Sequence, residues 1–202
     1  MLTRDVGKDQ RKARGSVPRI ASSNSARVFF ALWPDAEVRQ ALMRVGLKMH
    51  RQLDGKLARE ESIHMTLLFL GDTPEERLAE LAAAAATVPF EPFTFTIEQA
   101  DCWKHNKVAW VAPRDTPPAL ARLVSGLEER IAAEGLRFDR RPFAPHITLV
   151  RKARCAPLEL KMPRIRWEVR EFVLVRSELD SNGSRYAVIG RWPPVPQGGP
   201  GV

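Results

Sequence analysis

One four-residue pattern occurs twice in this 202-residue chain, as His64-Met65-Thr66-Leu67 and as His146-Ile147-Thr148-Leu149, each inside an apolar, β-branched run. Side chains in a strand alternate between faces, so each copy presents an imidazole and a hydroxyl together on one side. The surroundings repeat as well. A strand at 27–33 precedes the first copy and one at 108–112 precedes the second. Val28 stands 36 residues before His64, and Val108 stands 38 before His146. Matched spacing predicts two similar lobes related by a pseudo-twofold axis. The two motif strands would then face each other across a central cleft holding two His and two Thr.

The remaining pattern reads as α+β. Pro34-Asp35 opens a helix striped by Val38, Leu42, Val45 and Met49. Thr73-Pro74-Glu75-Glu76 has the form of a capping box, ahead of an Ala-rich helix running to residue 87. Segments 93–102 and 107–112 read as a hairpin around His105-Asn106. Thr116-Pro117 starts a helix striped by Leu120, Leu123, Val124, Leu127 and Ile131 that ends at Gly135. Segments 167–179 and 185–192 make a last hairpin around Asn182-Gly183. Residues 1–25 are polar and basic and read as a disordered arm, 26–192 as a single bilobal domain, and 193–202 as a flexible Pro/Gly tail.

The formal net charge of +8 points to a polyanionic partner. The charge is uneven. Segment 151–170 carries seven basic residues against two acidic ones and begins just after the second motif. Lys152, Arg154 and Lys161 are its candidates for contacting nucleic-acid phosphates. Cys102 and Cys155 match no redox or metal spacing and are expected to be free thiols in a reducing compartment. No apolar run is long enough to span a bilayer and no signal-peptide pattern opens the chain, so a cytoplasmic protein is expected.

Two imidazoles suit a reaction that needs both an acid and a base. Threonine hydroxyls donate hydrogen bonds to phosphate oxygens. Arg151 follows His146 by five residues. An odd offset points away in an ideal strand, so Arg151 reaches the cleft only if the strand has ended or bulged. Its guanidinium would match a phosphate in a bidentate way. The His spacings fit no common ligand pattern, so neither metal nor cofactor is expected. His50 and His105 read as surface groups, with His105 placed to line the cleft rim. Trp33, Trp103, Trp110, Phe29, Phe30 and Phe143 are the aromatics available to stack a base or to fill the core. Phe30 and Trp110, at matching places in the repeat, are expected near the cleft floor. Arg140-Arg141 reads as a solvated turn able to steer a polyanion.

These residues resemble the 2H phosphoesterase superfamily, named for two His-x-Thr/Ser motifs. Within it the chain looks most like the RNA 2′,3′-cyclic phosphodiesterases once described as 2′-5′ RNA ligases. The resemblance covers residues 27–192. It rests on the opening Arg-Val-Phe-Phe-Ala-Leu, the segment Ile-His-Met-Thr-Leu-Leu-Phe-Leu-Gly-Asp ending at Asp72, Val-Ala-Trp-Val from Val108, and Arg-Pro-Phe-Ala-Pro-His-Ile-Thr-Leu-Val-Arg ending at Arg151. It implies a bilobal α+β fold, with antiparallel sheets lining a cleft and helices outside. It implies hydrolysis of a 2′,3′-cyclic phosphate to a 2′-phosphomonoester. His64 would be the proton donor to the leaving 3′-oxygen and His146 the acceptor from water. Thr66, Thr148 and Arg151 would hold the phosphate. The implied partner is RNA with a 2′,3′-cyclic phosphate end, or a cyclic nucleotide, acted on by a monomer with no membrane involved. A ligase joining that end to a 5′-hydroxyl would use the same acid and base. A catalytically silent RNA-binding module would use the same basic cleft.

Overall fold

The computed structural model describes residues 24–180 and 183–193. Residues 1–23 of the expected arm and 194–202 of the expected tail lie outside the described residues. The order is β1 (Ser25–Leu32), α1 (Ala36–Leu53), β2 (Lys56–Leu57), β3 (Met65–Pro74), α2 (Leu78–Ala86), β4 (Phe93–Ile97), β5 (Gln99–Trp103), β6 (Val108–Ala112), α3 (Pro118–Ala133), β7 (Ile147–Arg151), β8 (Ile165–Val169), β9 (Phe172–Asp180) and β10 (Gly183–Trp192). β1 begins inside the expected arm. Ser25 pairs with Pro74, and the carbonyl of Asn24 accepts the Glu75 N–H at 2.9 Å.

The helices form where their stripes predict, but each covers the other repeat. Asp35 is extended and its carboxylate accepts the Val38 N–H at 2.9 Å, a cap worth about 1 kcal/mol. Val38, Leu42, Val45 and Met49 are buried, and α1 lays them on β7 and β8. The approach is close at Gly46, where an added Cβ would sit 3.1 Å from a Leu57 methyl and 3.5 Å from the Leu149 Cβ. In return α3, with Leu120, Leu123, Val124, Leu127 and Ile131 buried, packs on β3 and α2. This exchange of helices ties the two halves into one apolar core.

Antiparallel strands run in the order β10-β9-β1-β3-β7-β6-β5, with β2 added on β7 and a separate β4-β8 pair. The motif strands β3 and β7 are therefore neighbours at the centre of one sheet, not elements facing each other across a gap. They touch at a single register pair, Met65↔Ile147. Both residues are fully buried, so the apolar position inside each motif fastens the halves together from below. Unpaired strand edges cost backbone hydrogen bonds, and this junction covers two of them.

The pseudo-twofold passes through that pair. Leu32↔Met65, Ala31↔Thr66 and Phe30↔Leu68 on one side match Val111↔Ile147, Trp110↔Thr148 and Ala109↔Val150 on the other. Each half skips the leucine that closes its motif, Leu67 or Leu149, and β3 skips a second residue, Leu70, farther along. Such a bulge reverses the facing of the residues that follow it, Phe69 and Arg151 among them. The register before the bulges makes Ala31, not Phe30, the counterpart of Trp110, since each sits opposite its motif's threonine. Phe30 lies in the core beneath the sheet against Phe172 and Trp192 and does not reach the cleft floor.

Other expectations shift for similar reasons. Thr73 does not cap α2. Its hydroxyl donates to Gly71 O at 3.4 Å, β3 runs on to Pro74, and a turn at Glu75–Arg77 intervenes. The run 93–102 splits, because β4 pairs with β8 while β5 pairs with β6. The run 167–179 splits likewise between β8 and β9.

The two cysteines are not free. Cys102 in β5 and Cys155 after β7 form a disulfide with Cα atoms 5.4 Å apart, a separation suited to the bond. Their sequence separation of 53 gives no hint of pairing. The fold supplies it, because Ala153 N donates to Lys107 O at 2.9 Å and draws this segment onto the β5–β6 hairpin. A cross-link closing a loop of this size contributes ~2–4 kcal/mol. Reduction, or Cys102→Ser, is expected to lower the Tm by roughly 5–15 °C. An unmoved Tm would show that the bond adds nothing to stability.

Candidate active site

His64 follows a tight turn at Glu60–Ser62, and His146 follows the Pro142-Phe143-Ala144-Pro145 segment, whose prolines restrict the backbone. The two rings are held the same way. Nδ1–H of His64 donates to Ser62 O at 2.7 Å, and Nδ1–H of His146 donates to Ala144 O at 2.8 Å. A carbonyl only accepts, so both rings are fixed with the proton on Nδ1, leaving Nε2 for chemistry. The turn beneath His64 is itself braced, since Ser62 Oγ donates to Arg59 O at 2.8 Å.

The Met65↔Ile147 pair also sets which groups meet. In an antiparallel register, one step forward on one strand is one step back on the other. His64 therefore falls opposite Thr148, and His146 opposite Thr66. All four line one cavity of about 410 Å³. Arg151 lines it too. The bulge at Leu149 is what turns the odd offset toward the cleft. Its counterpart five residues after His64 is Phe69, which the bulge at Leu67 turns into a neighbouring cavity of about 770 Å³. The pseudo-symmetric site thus has a cation on one side and an aromatic ring on the other. Arg27 covers that ring at 4.9 Å.

Aromatic side chains pack against both imidazoles. Trp33 stacks on His64 at 5.4 Å and 8°, Phe29 lies at 4.9 Å, and Tyr186 meets it edge-on at 5.1 Å. Trp103 meets His146 at 4.6 Å. Burial accordingly pushes the His64 pKa down to about 4, against a partial lift from the Ser62 carbonyl, with the charges of Arg151 and His146 adding to the depression. His146 is lowered as well, first by burial and then by Arg151, with the Ala144 carbonyl opposing. One edge of each ring still opens on the cavity. These surroundings disfavour protons on both rings, and a phosphate anion beside them acts in the opposite direction.

The remaining candidates divide. His105 is exposed and lines the second cavity, at the rim. His50 lies on α1 with its Nδ1 buried and without a protein partner, away from both cavities. Trp110 packs on Trp103 at 5.2 Å. Phe29 and Phe143 line the second cavity. Arg141 lines it while held by Asp139 at 2.9 and 3.0 Å. Lys152 reaches the first cavity, whereas Arg154 pairs with Asp54 at 3.6 Å and Lys161 lines neither cavity. Tyr186, Lys56 and Phe69 are cleft residues that sequence reading did not single out. Phe69 had a signal, the same offset from His64 that Arg151 has from His146. Tyr186 and Lys56 had none, because strand pairing alone brings β10 and β2 to the site. Among the described residues, no three His, Cys, Asp or Glu side chains converge as metal ligands, and no helix is long and apolar enough to cross a membrane.

This geometry has relatives. A family model described as the 2′-5′ RNA ligase superfamily matches residues 32–181. The RNA 2′,3′-cyclic phosphodiesterase of Escherichia coli is 31% identical over 172 residues, covering 84% of this chain and 97% of that protein. The protein of the same name from Thermus thermophilus is 33% identical over 180 residues, covering 82% and 89%. The crystal structure of E. coli LigT complexed with 3′-AMP superposes with a TM-score of 0.77 at 30% identity, over 84% of this chain and 98% of that one. The α+β 2H phosphoesterase fold expected from the motifs is therefore the fold observed. The chain belongs to the 2′-5′ RNA ligase superfamily.

Proposed function

We propose that this chain is a metal-independent RNA 2′,3′-cyclic phosphodiesterase, opening a 2′,3′-cyclic phosphate to a 2′-phosphomonoester by acid–base catalysis between His64 and His146. One observation carries the reading. Two imidazoles, each held through Nδ1 by the carbonyl two residues back, open on one cavity with Thr66, Thr148 and Arg151. The activity is also the one named in the curated relatives.

The chemistry follows from that placement. The phosphate sits between the two Nε2 atoms, its non-bridging oxygens held by the threonine hydroxyls and the guanidinium. Nε2 of His146 takes a proton from water as the water oxygen bonds to phosphorus. The bond to the 3′-oxygen breaks, and Nε2–H of His64 gives that oxygen its proton. The products are a 2′-phosphomonoester and a free 3′-hydroxyl. His64 ends neutral and His146 ends protonated, and exchange with solvent restores both. Arg151 supplies the positive charge at phosphorus that a metal would otherwise provide. Burial makes His64 resist protonation, so its acid role requires a proton taken up along with the substrate's negative charge. All five residues come from one chain, so a monomer suffices. We place the activity in the cytoplasm with its RNA, where the Cys102–Cys155 bond is open to reduction.

The direct test is product analysis on a short RNA ending in a 2′,3′-cyclic phosphate, in the presence of excess EDTA. The expected product is the 2′-phosphomonoester, with the rate unaffected by the chelator. Joining to an added 5′-hydroxyl RNA would identify a ligase. Binding without conversion would identify a silent module.

A second measurement separates the two histidines. His64→Ala and His146→Ala are each expected to cost on the order of 10²–10⁴-fold in turnover. A substrate with an activated 3′ leaving group needs little protonation, so it should partly rescue His64→Ala alone. Rescue of His146→Ala instead would exchange the roles, and near-normal rates in both variants would end the mechanism.

A further inference from the structure

The two cavities flanking the histidines differ in charge. The larger one balances Arg27, Arg141 and Arg151 against Glu128 and Asp139, and Arg141 is already held by Asp139. The smaller one, which contains both motifs, is lined by Lys56, Arg59, Arg151 and Lys152, with no Asp or Glu among its lining residues. A single bound phosphodiester carries one negative charge, and Arg151 stands next to it. Lys56, Arg59 and Lys152 line the same wall, Arg59 with Glu61 at 3.3 Å from it.

That wall is built rather than incidental. Lys56 pairs with Arg151 across β2 and β7, which sets two of the cations side by side. Lys152 follows with φ of 55°, a turn that ends the strand and carries its side chain to the cavity. Gly55 seals the junction from behind. With φ of 97° it lies so close that an added Cβ would stand 2.5 Å from Arg151 O and 2.9 Å from Lys152 O. Lys56, Arg151 and Lys152 therefore share one tightly packed backbone edge.

We propose that Lys56, Arg59 and Lys152 form a second phosphate subsite, which takes the phosphodiester on the 5′ side of the terminal nucleotide. The direction follows from the substrate. A 2′,3′-cyclic phosphate is the 3′ end of its chain, so the next phosphate lies on the 5′ carbon of the same sugar. A cavity of about 410 Å³ is within the range that holds a small ligand. The inference rests on the cyclic phosphodiesterase reading and makes it more specific: the substrate is the end of an RNA chain, or a 5′-phosphorylated nucleotide, in preference to a bare nucleoside cyclic phosphate.

The test compares kcat/KM for a nucleoside 2′,3′-cyclic phosphate and for the same compound carrying a 5′-phosphate, using the full chain. The expected preference for the 5′-phosphorylated substrate is roughly tenfold or more, as for charge-assisted contacts, and it shrinks as salt is raised. In a Lys56→Gln/Lys152→Gln double variant with an unchanged Tm, the ratio should fall at least fivefold. In Arg154→Gln, whose side chain pairs with Asp54 outside the cavity, the ratio should stay where it was. A wild-type ratio near one, with both substrates hydrolysed, would overturn the subsite and leave the cyclic phosphodiesterase reading standing. A ratio untouched by the double variant would overturn the assignment to these lysines. Hydrolysis of neither compound would remove the underlying reading and the subsite with it.

Discussion

The Met65↔Ile147 pair is the contact on which the site depends. It is the one place where the two motif strands register, and both side chains are fully buried beneath the sheet. Because the strands are antiparallel, pairing the middle residues of two His-x-Thr motifs places each histidine opposite the other motif's threonine. The segments just before the strands then fix the rings, through Ser62 O and Ala144 O. The helices reinforce the junction, since α1 packs under β7 and α3 against β3. Separating the halves would strip both motif strands of their cover at once.

Symmetry alone would give two equivalent histidines, and a hydrolysis needs an acid and a base. The matched bulges at Leu67 and Leu149 make the difference possible. Each turns the residue five after its histidine toward the cleft, and those residues are Phe69 and Arg151. The guanidinium lowers the affinity of both rings for protons. The aromatic environment adds to this, most strongly at His64, which sits against Trp33, Phe29 and Tyr186. Under the proposed mechanism, proton uptake is expected to accompany phosphate binding.

Much of this was legible in the sequence, because hydrophobic period and motif repetition are local signals. The stripes of α1 and α3 are the buried faces of those helices. The repeat spacing correctly paired β1 with β6 and β3 with β7 as counterparts. The illegible parts depend on pairing between distant segments. Whether Arg151 faces the cleft turns on one skipped residue in the β6–β7 ladder. Phe30 alternates with Leu32 onto the core face of β1, and Ala31, opposite Thr66 as Trp110 is opposite Thr148, is the counterpart of Trp110. The Cys102–Cys155 bond follows from a hairpin meeting a segment some fifty residues away. The unused capping box at Thr73 records a competition that β3 wins by pairing with β1 through Ser25.

The two symmetry-related rings share one tautomer and a proton-poor site. Nitrogen-detected NMR of the histidine side chains in the full chain, with and without inorganic phosphate, tests this most directly. Without phosphate at neutral pH, His64 and His146 should both be neutral, with the proton on Nδ1 and a lone pair on Nε2. His64 should take up a second proton only near a pKa of about 4. Added phosphate should raise the midpoints of both rings. A proton found on Nε2 of either neutral ring, or a His64 that titrates at or above the ordinary histidine value of 6.5 without phosphate, would contradict both the shared tautomer and the proton-poor site.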